Sequence, residues 1–479
     1  MSANEREDIC FTPVVELRAM LASRALSARE LVETVLARID EVDHSVNAIV
    51  ETRPEAALEE AERADGAVER GTLHGIPVTV KDLIETRDLP TTYGSRAFAG
   101  HLAGFEALVV TRLRDAGAIL IGKTNTSEFG LRPTAENSLF GATSNPWLAG
   151  YNSGGSSGGA AAATASGMSP LSLGSDGGGS CRIPASCCAA VGMKPTRGRV
   201  PLAPGAYEAW AANVTNGPIA RSVRDVALLL DVIAGPVVGE PYGVAPPERP
   251  FLEACDEAPP RLRIGFLADP PDGAALDSEV REAFEDAVRT LESLGHHLVE
   301  TDPGLGGLRS AYMTIKQGNT AALLASSVAD ESLAELESNT LAIAQRGLAK
   351  TAADYCLAVD FVRNEAARIM RHWTEIDVLA TPTLTKLPLR NGVIPAIADY
   401  DERWTFCLDW HAFTFPFNVT GQPAISVPAG RSAGDLPVGL QLVGRTGDDA
   451  GLLALAAAYE EARPWRDRHP ELAPRAAVA

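Results

Sequence analysis

The sequence predicts an α/β/α layered fold with a largely buried sheet. Short runs rich in β-branched and aliphatic residues recur along its 479 residues. Longer stretches with helical apolar spacing lie between them. Several of the short runs are apolar throughout, as expected of strands covered on both faces.

Leu17 to Arg38 and Pro54 to Arg70 combine strong helix formers with helical apolar spacing. Ser27 stands three residues before Glu30, a capping box that starts the helix through Leu31, Val35 and Ile39. Ile76 to Lys81 is β-branched and alternating, and Ala118 to Ile121 is wholly apolar, so both read as strands. Leu262–Phe266, Ile376–Ala380, Ala424–Pro428 and Gly439–Val443 are further strands of this kind. Helices are expected over Ala107–Ala116, Val223–Ile233, Ser278–Leu294 and Ala450–Ala462. No internal repeat interrupts this alternation. The proline-rich stretch Pro236–Pro260 fits a boundary or an excursion within one domain, and one domain over residues 1–479 is the expectation.

Hydrophobic residues make up 46% and charged residues 22%, the composition of a globular chain. The net charge of −20, from 42 Lys+Arg against 62 Asp+Glu with no basic run, repels phosphate backbones and argues against nucleic acid as a partner. Met1 to Asp8 is charged and lacks the apolar core of a signal peptide. No apolar run reaches the roughly 18 residues that would span a membrane. Seven cysteines, with Cys187 and Cys188 adjacent, give neither a disulfide framework nor a zinc spacing. A cytoplasmic location is the expectation.

Two serines wrapped in glycine carry the functional signal. They sit in Asn152-Ser153-Gly154-Gly155-Ser156-Ser157-Gly158-Gly159 and Gly174-Ser175-Asp176-Gly177-Gly178-Gly179-Ser180-Cys181-Arg182. Glycine lets main-chain N–H groups approach a ligand closely, at a cost in folding entropy. A hydroxyl among free N–H groups has what attack on a carbonyl requires: a nucleophile and donors for the oxyanion. Glycines that serve only tight turns would explain one such stretch, but not two in succession.

Two other patterns compete. Gly155-Ser156-Ser157-Gly158-Gly159 satisfies G-x-S-x-G, the nucleophile elbow of α/β-hydrolases. That reading needs a triad histidine among His296, His297, His372, His411 and His469, none of which has a distinctive setting. It also leaves the second stretch without a role. Gly117 to Thr124 fits the P-loop expression, yet the four intervening residues are Ala-Ile-Leu-Ile, which belong in a buried strand. Nucleotide binding is rejected. A serine nucleophile needs a base, and no histidine lies near the glycine stretches. A desolvated lysine loses its proton more readily and can serve. Lys81, at the end of a strand-like run, shares that candidacy with Lys123 and Lys194.

These residues resemble the amidase signature hydrolases. The likeness runs through Gly75-Ile76-Pro77-Val78-Thr79-Val80-Lys81-Asp82, Gly122-Lys123-Thr124-Asn125, both serine stretches, and Gly192 to Thr196. It continues through Gly217-Pro218-Ile219-Ala220-Arg221, Asn418 to Ala424 and Leu436 to Gln441, and so spans nearly the whole chain. The resemblance implies a twisted, mostly buried mixed central sheet flanked by helices on both sides, with no metal and no organic cofactor. It implies a Ser–cis-Ser–Lys catalytic set: Ser180 the nucleophile, Ser156 the bridging serine after a cis peptide, Lys81 the base. The backbone N–H groups of Gly177, Gly178, Gly179 and Ser180 would form the oxyanion hole. Asp176 and Arg182 would brace the loop, as an ion pair, rather than react.

The same resemblance divides the chain into an N-terminal helical segment (1–70), a catalytic core (75–225), a variable substrate-pocket region (236–410) and C-terminal strands with a helix (411–479). It puts Phe129, Gly130, Leu131 and Arg132 in the acyl pocket. Trp210, Trp404, Trp410 and Phe413 are candidates for aromatic walls, although core packing is the commoner fate of such residues. Three positions depart from the family pattern. Gly177 replaces a threonine or branched residue, which suggests a more open wall. Cys181 replaces isoleucine as a packing residue, and Ser153 replaces proline. The implied activity is hydrolysis of C–N bonds in aryl and acyl amides, with esters and carbamates also within reach, by a stand-alone enzyme on a small-molecule substrate. A homodimer is expected at the level of the family alone. The alternative is the glutamine-hydrolysing A subunit of a tRNA-dependent amidotransferase. Against it, Leu336–Met370 does not resemble that subunit's glutamine-recognition segment, and Val200 to Gly205 reads like the stand-alone enzymes. A noncatalytic interaction protein on the same scaffold would have no reason to retain Lys81, Ser156 and Ser180 together.

Overall fold

The structure, a computed structural model, describes residues 3–474 apart from Glu69 and Ala206. The outermost residues of the expected domain, 1–2 and 475–479, lie outside the described residues.

Eleven strands form one sheet: β1 (Ile49–Thr52), β2 (Pro77–Lys81), β3 (Ile119–Thr124), β4 (Leu171–Asp176), β5 (Val191–Lys194), β6 (Thr215–Ala220), β7 (Arg263–Phe266), β8 (His297–Glu300), β9 (Val378–Pro382), β10 (Ala424–Arg431) and β11 (Pro437–Val443). Their order is β1-β3-β2-β4-β6-β5-β10-β11-β9-β7-β8. The sheet is mixed. β3-β2-β4 and β9-β7-β8 are parallel trios, and every other neighbouring pair is antiparallel.

Side chains alternate between the two faces of a strand, and each face here has its own apolar core. Val378 and Ala380 of β9 join one core while Leu379 between them joins the other. Helices cover both. The amphipathic α1 (Ala28–Val46) starts at Ser27, whose hydroxyl accepts the Glu30 N–H at 3.1 Å while Glu30 accepts the Ser27 N–H at 2.9 Å. The capping box therefore forms as expected. It also splits the expected Leu17–Arg38 helix, because Arg24 in the left-handed region ends a separate helix over Val14–Ser23. The Pro54 helix stops at Gly66, short of Arg70.

The alanine-rich α2 (Gly158–Ala165) is wholly buried and lies beneath the strands that carry the serines. The short α3 (Arg182–Cys188) follows the second glycine stretch. Then come α4 (Val223–Ile233), α5 (Ser278–Ser293), α6 (Arg309–Ser327), α7 (Ser338–Leu348), α8 (Ala352–Met370) and α9 (Asp449–Ala462). Among the described residues no helix is long and apolar enough to cross a membrane. The Ala-Ile-Leu-Ile run flanked by Gly117 and Gly122 is largely strand β3, which bears out the rejection of a phosphate loop.

β6 is the seam of the sheet, wedged between β4 and β5, and it tolerates no bulk at Gly217. A Cβ there would lie 2.1 Å from the Met193 carbonyl oxygen and 3.1 Å from Cys181 Sγ. The carbonyl belongs to the neighbouring strand and cannot swing aside. Gly217→Ala should therefore lose about 1–3 kcal/mol of stability, the ordinary cost of overpacking. Gly104→Ala, where nothing lies within 4 Å, should stay within about 0.5 kcal/mol of the parent. Urea unfolding of both variants tests the difference.

Candidate active site

Strand alternation decides where the lysine goes. Val78 and Val80 of β2 point into one core, so Thr79 and Lys81 face the other way, towards α2. Lys81 is fully buried at the end of its strand. Its Nζ lies 2.7 Å from Ser156 Oγ and 3.1 Å from Ser175 Oγ. Burial lowers its pKa to about 7, with Cys181 and Asp176 pulling weakly the other way. The other two lysines left open by the sequence touch no serine. Lys123 is held by the Ile84 carbonyl at 2.6 Å and Thr91 Oγ1 at 2.8 Å, and Lys194 by the Pro195 carbonyl at 2.8 Å.

The Gly155–Ser156 peptide bond is cis. Ser157, the next residue, joins the two glycine stretches. Its N–H donates to the Ser180 carbonyl at 3.2 Å and its hydroxyl to the Ser175 carbonyl at 3.1 Å. It is completely buried, unlike the exposed serine of an elbow. Nor does any of the histidines weighed as triad partners serve it: His469 stacks on Phe11, His372 meets Thr301, His411 stands edge-on to Phe415, His296 accepts the Leu262 N–H, and His297 is exposed on β8.

Ser156, Ser175 and Ser180 line one cavity of about 540 Å³. No direct hydrogen bond joins Ser180 Oγ to Ser156 Oγ among the described residues; both open onto the same space. The N–H groups of Gly177, Gly178 and Ser180 have no acceptor among the described residues. The Gly179 N–H is different: it donates to Asp176 Oδ1 at 2.7 Å, which takes it out of the expected oxyanion set.

Behind the loop sits the Asp176–Arg182 pair, wholly buried. Arg182 Nε donates to Asp176 Oδ2 at 3.0 Å and one terminal nitrogen donates to Oδ1 at 2.9 Å. The remaining N–H groups reach the Thr414 carbonyl (2.9 Å), Gln441 Oε1 (2.7 Å) and Asn418 Oδ1 (2.7 Å). Burial alone would raise the Asp176 pKa; Arg182, Asn418 and the Cys181 N–H reverse this and hold the carboxyl well below the usual range. Tyr312 and Thr414 fix the loop from its carbonyl side, donating to Gly177 O at 3.1 Å and Gly178 O at 2.7 Å. Cys181 packs against Gly217, its thiol pushed up by burial and unreactive.

Two expectations about the walls need correction. The space beside Gly177 is not open: a Cβ there would meet Trp210 Cε3 at 3.2 Å and Val214 Cγ2 at 3.1 Å. Trp210 occupies the volume that a larger residue at Gly177 would claim. Of the four residues expected in the acyl pocket, Phe129 and Gly130 line the cavity and the other two do not. Leu131 is buried with its carbonyl on Lys316 Nζ at 2.5 Å, and Arg132 pairs with Glu337 at 2.5 Å. Trp404, Trp410 and Phe413 are core residues.

Sequence reasoning passed over Ser175, although it stands in the second glycine stretch directly before Asp176. It also missed Tyr93, Phe98 and His101, which form the aromatic end of the cavity. Nothing in the periodicity of that loop marks them.

The whole chain can now be set beside known proteins. The amidase family model matches residues 30–453. The chain is 37% identical to an acylamidase from Rhodococcus erythropolis, over 97% of this chain and 98% of that one. It is also 37% identical to the A subunit of a glutamyl-tRNA(Gln) amidotransferase from Synechococcus sp. (strain CC9605), over 95% and 97%. The solved structure of 6-aminohexanoate cyclic dimer hydrolase with its substrate superposes with a TM-score of 0.90, at 34% identity over 96% of this chain and 99% of that one. Fold and comparisons define the class: an α/β/α hydrolase of C–N amide bonds. The chain belongs to the amidase signature family.

Arg182→Met removes the only cation paired with Asp176 among the described residues and leaves its carboxylate buried with too few donors to compensate it. Such a break in a buried pair costs about 3–5 kcal/mol. Urea unfolding should show a loss of that size.

Proposed function

We propose that the chain hydrolyses aryl and acyl amides through an acyl-enzyme on Ser180. The observation that carries this reading is the buried Lys81 Nζ, 2.7 Å from the Oγ of Ser156, which lines the same cavity as Ser180. Neutral Lys81 takes the proton of Ser156 as Ser156 takes that of Ser180, and Ser180 Oγ attacks the carbonyl carbon. The oxyanion meets the free N–H groups of Gly177, Gly178 and Ser180. The proton then passes to the departing amine as the C–N bond breaks. Water adds to the acyl-enzyme by the same relay in reverse and releases the acid. Esters and carbamates present the same carbonyl and fit the same steps.

The glutamine-hydrolysing alternative is weaker on electrostatic grounds. Among the described residues no Lys or Arg lines the cavity, so the carboxylate of free glutamine would find no counter-ion there.

A fluorophosphonate labels activated serines without presuming a substrate. Peptide mapping should find one adduct, on Ser180, and none in Ser180→Ala; an adduct on Ser157 would overturn the assignment.

The base makes a pH prediction. Only neutral Lys81 can accept a proton, and its pKa lies at about 7. Hydrolysis of an uncharged anilide should therefore fall about ten-fold per unit below pH 7 and level off above it. Lys81→Ala should cut kcat/KM by roughly 10²–10⁴ and lose that limb of the profile.

A further inference from the structure

One end of the cavity is chemically unlike the rest. Tyr93 and Phe129 lie near-parallel at 6.2 Å, Phe98 stands edge-on to both at 5.2 and 5.8 Å, and His101 stands edge-on to Phe98 at 5.4 Å. Among these rings the cavity wall holds one carboxylate, Glu85. The Tyr93 hydroxyl donates to Glu85 Oε1 at 3.2 Å. Glu85 forms no ion pair among the described residues. The neighbouring cations make their contacts elsewhere. Lys123 bonds Ile84 O, Thr91 and, at 3.8 Å, Asp82, and acts on Glu85 only from beyond ion-pair distance, and Arg87 turns to Glu106 at 3.7 Å.

A half-buried carboxylate with no cation in contact among the described residues, beside aromatic rings whose faces carry negative potential, leaves room for a positive charge. Ring faces attract ammonium groups most strongly where water is partly excluded. The lining supplies no Lys or Arg to compete for Glu85.

We propose that this end of the cavity is a cation subsite, in which Glu85, Tyr93, Phe98 and Phe129 take a positively charged amine carried by the substrate. The proposal rests on reading the cavity as the one that binds the amide. It narrows the substrate class to amides uncharged at the scissile bond and bearing an ammonium group at a distance from it.

Isothermal titration calorimetry with hexylammonium, hexan-1-ol and hexanoate tests this without turnover. The parent protein should bind hexylammonium about ten-fold or more tightly than hexan-1-ol, with hexanoate weakest. Glu85→Gln keeps an acceptor for Tyr93 and changes only the charge, so the gap between ammonium and alcohol should collapse. Glu85→Asp should keep the preference for ammonium over alcohol, and thermal melting checks that both variants are folded. Hexylammonium binding no tighter than hexan-1-ol in the parent, or a gap that survives Glu85→Gln, would overturn the proposal. Because no bond is cleaved, that failure leaves the hydrolase reading standing. A chain that binds hexylammonium but takes no fluorophosphonate on Ser180 fails the hydrolase reading alone.

Discussion

The Asp176–Arg182 pair is the constraint on which the site depends. A guanidinium carries five N–H donors and no acceptor, and here every donor has an oxygen to meet. Those oxygens come from far apart in the chain: Asp176 at the end of β4, Thr414 and Asn418 in the segment before β10, and Gln441 within β11. One side chain thus ties both halves of the sheet to the loop between Asp176 and Ser180. Asp176 in turn spends its oxygens on the Gly179 and Cys181 N–H groups. That curls the loop so that the amides of Gly177, Gly178 and Ser180 are left over. On the proposed reading, the oxyanion hole is what a saturated network leaves over: its free donors are those the ion pair did not need.

Two neighbouring buried groups meet opposite fates for the same physical reason. Burial penalises charge on both Asp176 and Lys81. Asp176 stays ionised because a cation, an amide and two backbone N–H groups compensate it. Among the described residues Lys81 has two hydroxyls and no carboxylate at hydrogen-bonding distance, so its proton is loosely held. The contrast separates structure from reactivity. A fully compensated charge is inert scaffolding, whereas an uncompensated amine beside a serine is what the proposed reaction needs as its base. Ser175 matters in this light as the second hydroxyl that orients Lys81 without neutralising it.

Much of this is written in local sequence, and the exceptions are instructive. Strands made of β-branched and aliphatic residues, such as Ile76–Lys81 and Ala424–Pro428, were legible because their composition matches their burial. The central strands β4 (Leu-Ser-Leu-Gly-Ser-Asp) and β6 (Thr-Asn-Gly-Pro-Ile-Ala) were not, although they are the middle of the sheet. They consist of small and polar residues because neighbouring strands, α2 and α3 crowd against them, as the contacts awaiting a Cβ at Gly174 and Gly217 show. Close packing there replaces the hydrophobic signal. The lysine was ambiguous for a related reason. Lys81, Lys123 and Lys194 all end up buried, and only the register of β2 against α2 distinguishes them. The walls of the cavity were the least legible, since Trp210 answers the missing side chain of Gly177 from 33 residues away in sequence, a tertiary compensation with no local trace.

That compensation also shows that chemistry and specificity are not carried by separate parts of the chain. Helix α6 lies within the 236–410 region expected to vary with substrate, yet it supports the Gly177–Ser180 loop directly. Its Tyr312 donates to Gly177 O, and a Cβ at Gly178 would collide with the same hydroxyl at 2.3 Å. One turn further on, Lys316 reaches the Leu131 carbonyl, beyond the residues that line the cavity, and lies against the Trp404 and Trp210 rings at 3.7 and 5.0 Å. Asn319, near the next turn, accepts the Trp210 N–H at 3.1 Å. Three residues three or four apart on one helical face therefore position the Gly177–Ser180 loop, the Phe129–Gly130 wall and the tryptophan that closes the space between them. A change that shifts α6 to admit a different substrate must also shift Gly177. The freedom of this region to vary is bounded by the geometry the reaction needs, and the tolerance is set at Tyr312.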